Sequence, residues 1–134
     1  MMSRENVEIV RRLYEAVNTA GLEAVVGFAH RDVEVVPPPH WPDTSTVRGV
    51  ELVQEWARQW VETFEHFEVE PEKFLDPGGA RVVAYVRDRG RIRGSETEIN
   101  ARLIHVWTLA EGKVTRWQVF ANEAQALKAA GLSA

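Results

Sequence analysis

The chain has no cysteine among its 134 residues, which excludes disulfides, thiolate metal ligands and cysteine nucleophiles. It also lacks a long hydrophobic run. No apolar stretch approaches the ~20 residues needed to span a bilayer, and the opening MMSRENVEIVRR is charged throughout, without the apolar segment of a signal peptide. Positive charge is not in surplus: the net charge of −4 leaves no electrostatic footprint for nucleic acid. The local arginine cluster RDRGRIRG, from Arg87 to Gly94, holds Asp88 inside it and is followed by Glu96 and Glu98, which suits a solvated hairpin better than a phosphate track. The histidines His30, His40, His66 and His105 show no H-x-x-H or H-E-x-x-H spacing, so no metal site is expected. There is no phosphate-cradling glycine loop and no G-x-S-x-G elbow. These absences lead to the expectation of a cytoplasmic protein without cofactor, partnered by neither nucleic acid nor membrane.

What is present is ordinary globular composition, 45% hydrophobic and 27% charged, on a chain of one-domain length. We expect residues 1–134 to form a single domain. Val7, Val10, Leu13, Tyr14 and Val17 fall at spacings of three and four, a helical stripe, with Ser3 as its N-cap and Glu5 in its first turn. Gly21 ends that helix, and a second short one carries Leu22, Val25, Val26 and Ala29 on one face. DVEVVPPP is expected as a strand stopped by prolines. Val50, Val53, Trp56, Ala57, Trp60, Val61 and Phe64 mark a third helix whose wide apolar face needs a sheet as partner. HFEVEPEKFLD, interrupted by Pro71, suits an edge strand with a break. ARVVAYVRDRGRI, EINARLIHVWTLA and KVTRWQVFA are further strands, and Asn122 with Gln125 opens a short helix ended by Gly131. Helices followed by a meander of strands predict an α+β fold, the helices on one face of one mostly antiparallel sheet.

The hairpin HVWTLAEGKVTRWQVF, His105 to Phe120, sorts by alternation. One face takes Leu103, His105, Trp107, Leu109, Thr115, Trp117, Val119 and Ala121. The other takes Arg102, Ile104, Val106, Thr108, Val114, Arg116, Gln118 and Phe120. The first suits the helix-covered side, which leaves His105 either as a hydrogen-bonded core residue or as a pocket group. On the second, Ile104, Val106, Val114 and Phe120 suit a contact with a partner subunit. On the strand before the hairpin, Tyr85 and Arg87 share one parity while Val82, Ala84 and Val86 share the other. Which set faces inward is open.

IVRRLYEAVNTAGLEAVVGFAHRDVEVVPPP, RGVELVQEWARQW and WTLAEGKVTRWQVFANEAQALKAAGL, in that order, resemble the SnoaL-like domains of the nuclear-transport-factor-2-like superfamily, which includes ketosteroid isomerases and polyketide cyclases. The resemblance implies a cone, a strongly curved sheet around the N-terminal helices with an apolar pocket at one end. It also implies a homodimer through the outer sheet face and a hydrophobic small molecule as ligand. The pocket lining it implies is Trp107, Trp117, Val119, Val36 and Trp60, with Trp41 at the mouth as a lid or as a dimer anchor. Trp56 and Trp60 also have the helical spacing of plain core residues.

The isomerase chemistry itself transfers poorly. The aspartate base of the first strand is replaced by Val36, and the aspartate donor of the long strand by His105, while Tyr14 matches the phenol donor. A valine cannot take a proton, so steroid isomerisation of that type is not expected. The resemblance instead implies a cyclase or isomerase in which His105 gives acid–base assistance, Tyr14 serves as donor and Glu34 is either a second acid–base group or, the favoured reading, one half of an ion pair with an arginine. The rival expectation is a non-catalytic binding or sensing module.

Overall fold

The computed structural model describes residues 3–38 and 45–132. Helix α1 (Ser3–Ala20) includes Ser3 as a helical residue and not as a cap outside it. Its stripe of Val10, Leu13, Tyr14 and Val17 is buried. Gly21, with φ of 96°, ends α1 in a backbone conformation that a side chain would strain. The next segment is a 3₁₀ helix, Leu22–Phe28, and not the α-helical turn expected. At three residues per turn, Leu22, Val25 and Phe28 align, Val26 leaves that face, and Ala29 packs on the core as the first residue of the following strand. Leu22 and Val25 are its buried members.

Six strands follow: β1 (Ala29–Val36), β2 (Val47–Arg48), then, beyond helix α2 (Val50–Thr63), β3 (Phe64–Leu75), β4 (Arg81–Ile92), β5 (Glu98–Ala110) and β6 (Lys113–Phe120). They form one sheet in the order β2-β1-β6-β5-β4-β3. Every neighbouring pair is antiparallel except β1 with β6, which is parallel. Helix α2 packs on β1 and β2 at one edge and on β3 at the other. A single helix can touch both edges of a six-stranded sheet only if the sheet curls round it. The fold is therefore an α+β cone, with its core between the curled sheet and the α1, 3₁₀ and α2 layer.

Local chemistry fixes how the helices dock. Asn18 gives its side-chain amide to the Val69 carbonyl and accepts the Val69 N–H, each at 2.8 Å. It thus acts as a short extra strand on the edge strand β3 and holds Tyr14, one turn earlier, over the sheet. Arg93 donates to the carbonyls of Val61, Glu62 and Phe64, closing the orphan C-terminal carbonyls of α2. The break expected near Pro71 is present as irregular register within a continuous β3, at Glu65/Glu68 and Pro71/Lys73. His66 takes a positive φ of 56° at the first of these, where the strand bends. The Glu111–Gly112 turn has positive φ at both residues, 50° and 80°, the requirement of a two-residue hairpin turn.

Two expectations about the faces are corrected. Helix α3 (Glu123–Ala129), capped by Asn122 accepting the Gln125 N–H at 2.9 Å, lies on the outer face, opposite the other helices. There Ala126 and Ala130 pack with Val83, Ile104 and Val106 in a second small core, flanked by Phe120. Ile104 and Val106, read as dimer contacts, are thus covered by their own chain. Val114 is not outward at all. The register shifts between Thr108 and Leu109, pairing Leu109 with Val114, and the extra residue turns Val114 into the main core, where it is fully buried. Among the described residues, no helix is long and apolar enough to cross a membrane.

Candidate functional site

The inner face of the sheet settles the strand whose parity was open. Val82, Ala84 and Val86 are in the main core, so Tyr85 and Arg87 face outward, and the next inward residue is Asp88. On β5, Leu103, His105, Trp107 and Leu109 face inward. The ladder sets Ala84 beside His105, His105 beside Val119 and Trp107 beside Trp117. From above the sheet come Leu22, Trp56 and Trp60. With Leu103, His105, Trp117 and Val119 of the sheet, and with Val35, Pro37, Phe67 and Val69, they line an apolar cavity. Among the described residues, Asp88 and His105 are the ionisable groups in its wall. Gly90 admits Phe67 to that wall, since a Cβ on Gly90 would stand 3.2 Å from the Phe67 ring.

The aromatic walls hold one another in place. Trp107 and Trp117 stack at 4.8 Å and 8°, while Trp117 meets Trp56 at 78° and His105 at 77°. Trp60 meets Phe67 at 80°. Steep angles of this kind satisfy the ring quadrupoles.

Behind that wall runs a buried chain of polar groups. Trp107 Nε1–H donates to Tyr14 Oη at 2.8 Å, and Tyr14 Oη lies 2.7 Å from His105 Nδ1. Tyr14 and His105 are each 2% exposed. Burial raises the Tyr14 phenol well above its ordinary value, with the Trp107 hydrogen bond pulling the other way and nearby Asp88 adding to the rise. Burial also lowers His105 to about 3. Both groups are therefore neutral at pH 7.

Asp88 is the group that the sequence reading missed. It is 7% exposed, its Oδ1 has no hydrogen-bond partner among the described residues, and burial pushes its carboxyl up to about 7. A signal was present in the alternation of R-D-R-G-R. If Arg87, Arg89 and Arg91 pair with glutamates across the strand, Asp88 must face the other way.

The remaining expected residues divide. Trp117, Val119 and Trp60 line the cavity, as does His105. Trp107 sits one layer deeper, fully buried, with Tyr14. Val36 is displaced by its neighbour: Val33 and Val35 are the buried residues of β1, and Val35 lines the cavity. Glu34 shares the opposite face with Val36, half-buried and 3.6 Å from Arg48 Nη1, so it is an ion-pair residue and not a cavity carboxylate. Trp41 lies outside the described residues. Among the described residues no group of three metal-binding side chains comes together.

A family model for the SnoaL-like domain matches residues 10–117. Among proteins of curated function, none matches the chain. Solved structures do. A protein of ketosteroid isomerase-like fold from Catenulispora acidiphila, in complex with trimethylamine, is 21% identical over 93% of each chain with a TM-score of 0.75. A protein named as a SnoaL-like polyketide cyclase from Jannaschia is 21% identical over 98% of this chain and 94% of its own, with a TM-score of 0.75. An NTF2-like protein from Burkholderia pseudomallei is 20% identical over 92% and 95%, with a TM-score of 0.76. At these identities the likeness is one of fold.

Proposed function

The chain belongs to the SnoaL-like family, and from that premise we propose that its cavity takes a small, largely apolar carbonyl compound on which Asp88 moves a proton. The observation that carries this reading is the Asp88 carboxyl: without a hydrogen-bond partner at Oδ1 among the described residues, in the wall of an apolar cavity that the neutral His105 imidazole also lines. A base works best with its pKa near the working pH, and Asp88 at about 7 is half ionised there.

The step is an enolisation. The Asp88 carboxylate takes a proton from the carbon next to the carbonyl, and the C–H electron pair moves into an enolate whose oxygen lies by His105. In an isomerisation Asp88 returns the proton to another carbon. In a cyclisation the enolate carbon attacks a second carbonyl of the same molecule, and the proton goes to the new alkoxide. No inward carboxylate comes from β1, whose buried residues are Val33 and Val35, so the base of this reading stands on β4.

The test is deuterium exchange. Cyclic ketones incubated with the protein in heavy water gain deuterium at the carbon next to the carbonyl, and Asp88→Asn loses that exchange while its melting temperature holds. Exchange undiminished in Asp88→Asn would overturn the reading.

A second reading is favoured by the aromatic walls. Trp56, Trp60, Trp117 and Phe67 beside an unpaired carboxylate suit a small alkylammonium ion, as a non-catalytic binding module would hold, and the Catenulispora relative was solved with trimethylamine. That ligand needs ionised Asp88, so its affinity rises about tenfold per pH unit below 7. A ketone does not show that rise.

A further inference from the structure

The geometry points to His105 as a hydrogen-bond donor and not a base: we propose that Trp107 and Tyr14 lock its ring with the proton on Nε2, so that the ligand atom it meets is an oxygen acceptor. The tautomer rests on the hydrogen-bond chain alone. The identity of the oxygen, a carbonyl becoming an enolate, rests on the enolisation reading above.

The direction of the chain follows from what each group can do. An indole nitrogen only donates, so the 2.8 Å contact runs from Trp107 to Tyr14 Oη. The phenol then has one hydrogen left, and Nδ1 of His105 stands 2.7 Å away. If Nδ1 carried a proton, Tyr14 Oη would face two donors, and its own hydrogen would be buried without an acceptor, an arrangement proteins avoid. Tyr14 therefore donates to Nδ1, and the ring proton sits on Nε2.

The packing blocks the alternatives. Trp107 and Trp117 meet the His105 ring edge-on at 81° and 77°, and Tyr14 lies over it at 5.8 Å and 21°, so the ring cannot turn over without disturbing all three. In the cavity wall and the layer behind it, α1 contributes Tyr14 and β4 contributes Asp88 as titratable groups, whereas α2 and β6 contribute Trp56, Trp60, Trp117 and Val119, which do not titrate. A second ring proton would be a cation in an apolar wall.

The consequences reach the substrate. Donation from Trp107 through Tyr14 into Nδ1 draws electron density from the ring and strengthens Nε2–H as a donor, since chained hydrogen bonds polarise one another. That donor serves an oxygen on which negative charge builds. An ammonium group has no lone pair to accept it. Tyr14 and Trp107 are thus positioning residues acting through His105, and His105 with Asp88 defines a ligand with an acceptor oxygen next to an acidic C–H.

Nitrogen-15 NMR of the histidine rings, on the ligand-free full chain, tests the lock without any turnover. The expected His105 spectrum has Nδ1 in the unprotonated range and Nε2 in the protonated range, unmoved between about pH 5 and pH 8 because the ring stays neutral. In Tyr14→Phe the two resonances move towards each other as both tautomers populate. Cyclohexanone added to the wild type shifts the Nε2 resonance and leaves Nδ1 nearly still. A proton on Nδ1, an ordinary histidine titration, or a Tyr14→Phe spectrum identical to wild type would each overturn the proposal. A locked Nε2–H together with absent deuterium exchange would uphold the donor assignment and remove only the enolisation reading.

Discussion

The two faces of β4 treat their charges in opposite ways. Outward, Arg91 pairs with Glu65, Arg89 with Glu68 and Glu70, and Arg87 with Glu72, which Arg102 also reaches, at 3.1–3.8 Å. Inward, one residue from two of those arginines, Asp88 Oδ1 has no hydrogen-bond partner among the described residues. The outer pairs are partly exposed to water, and each is worth little. The inner carboxyl is held away from water and counter-charge, and its proton affinity rises to about 7. Alternation along one strand thus separates charges that stabilise weakly from one that is chemically useful. An arginine on the inner face would have quenched it.

The largest expected effect tests the functional half of that contrast. Asp88→Asn keeps shape and burial but cannot accept a proton, so turnover on a responsive ketone falls about 10²–10⁴-fold, measured as initial rate. Glu72→Gln, a comparable change on the outer face, leaves the rate within twofold or so.

Stability against pH sharpens the comparison. Asp88, raised to about 7 from 3.8, keeps its proton in the folded state over a range where the unfolded chain has lost it, so its contribution falls as pH rises from 3.8 to 7. His105, lowered to about 3 from 6.5, is neutral in the folded state where the unfolded chain is charged, so its contribution rises from pH 3 to 6.5. Each slope is at most about 1.4 kcal/mol per pH unit, and in the wild type they oppose. Urea midpoints should be nearly flat from pH 4 to 6.5. In Asp88→Asn they should climb with pH over that range, and in His105→Asn they should fall. Parallel curves for all three proteins would show that neither group is desolvated as described.

A third test presses on the cavity wall. Gly90→Ala brings a Cβ to 3.2 Å from the Phe67 ring, and crowding of this kind costs about 1–3 kcal/mol, read from denaturant midpoints. The smallest effect belongs to the outer ladder: Glu68→Gln changes stability by less than about 1 kcal/mol, and less again in high salt. A larger, salt-resistant loss would mean that the ladder acts as a network and that the two faces differ less than their exposure implies.

Much of the fold was legible because it is written in local periodicity. The stripe on α1, the tryptophan face of α2, the edge position of HFEVEPEKFLD and the turn at Glu111–Gly112 are patterns a few residues long. The parity of the hairpin placed His105, Trp107, Trp117 and Val119 inward. On β1 matching by family motif chose Val36, whereas the structure buries Val33 and Val35, one residue away. Val114 was illegible because its face depends on a register shift between two strands, which no single strand announces. The α3 side was illegible because the apolar set Ile104 and Val106 has the same pattern whether a helix of the same chain or another subunit covers it.

By itself, then, the sequence determined the long elements, their order and the α+β class, since those follow from short-range spacing and turn chemistry, but not the two-residue strand β2 or the 3₁₀ form of the second helix. It also determined which residues were capable of proton chemistry. Only the tertiary structure decided that Asp88 and His105 share a cavity, that Tyr14 and Trp107 stand behind His105, and that Glu34 does not join them. Strand pairing, bulges and helix docking bring together groups as distant in the chain as Tyr14 and His105, and the resulting burial sets the protonation state of each.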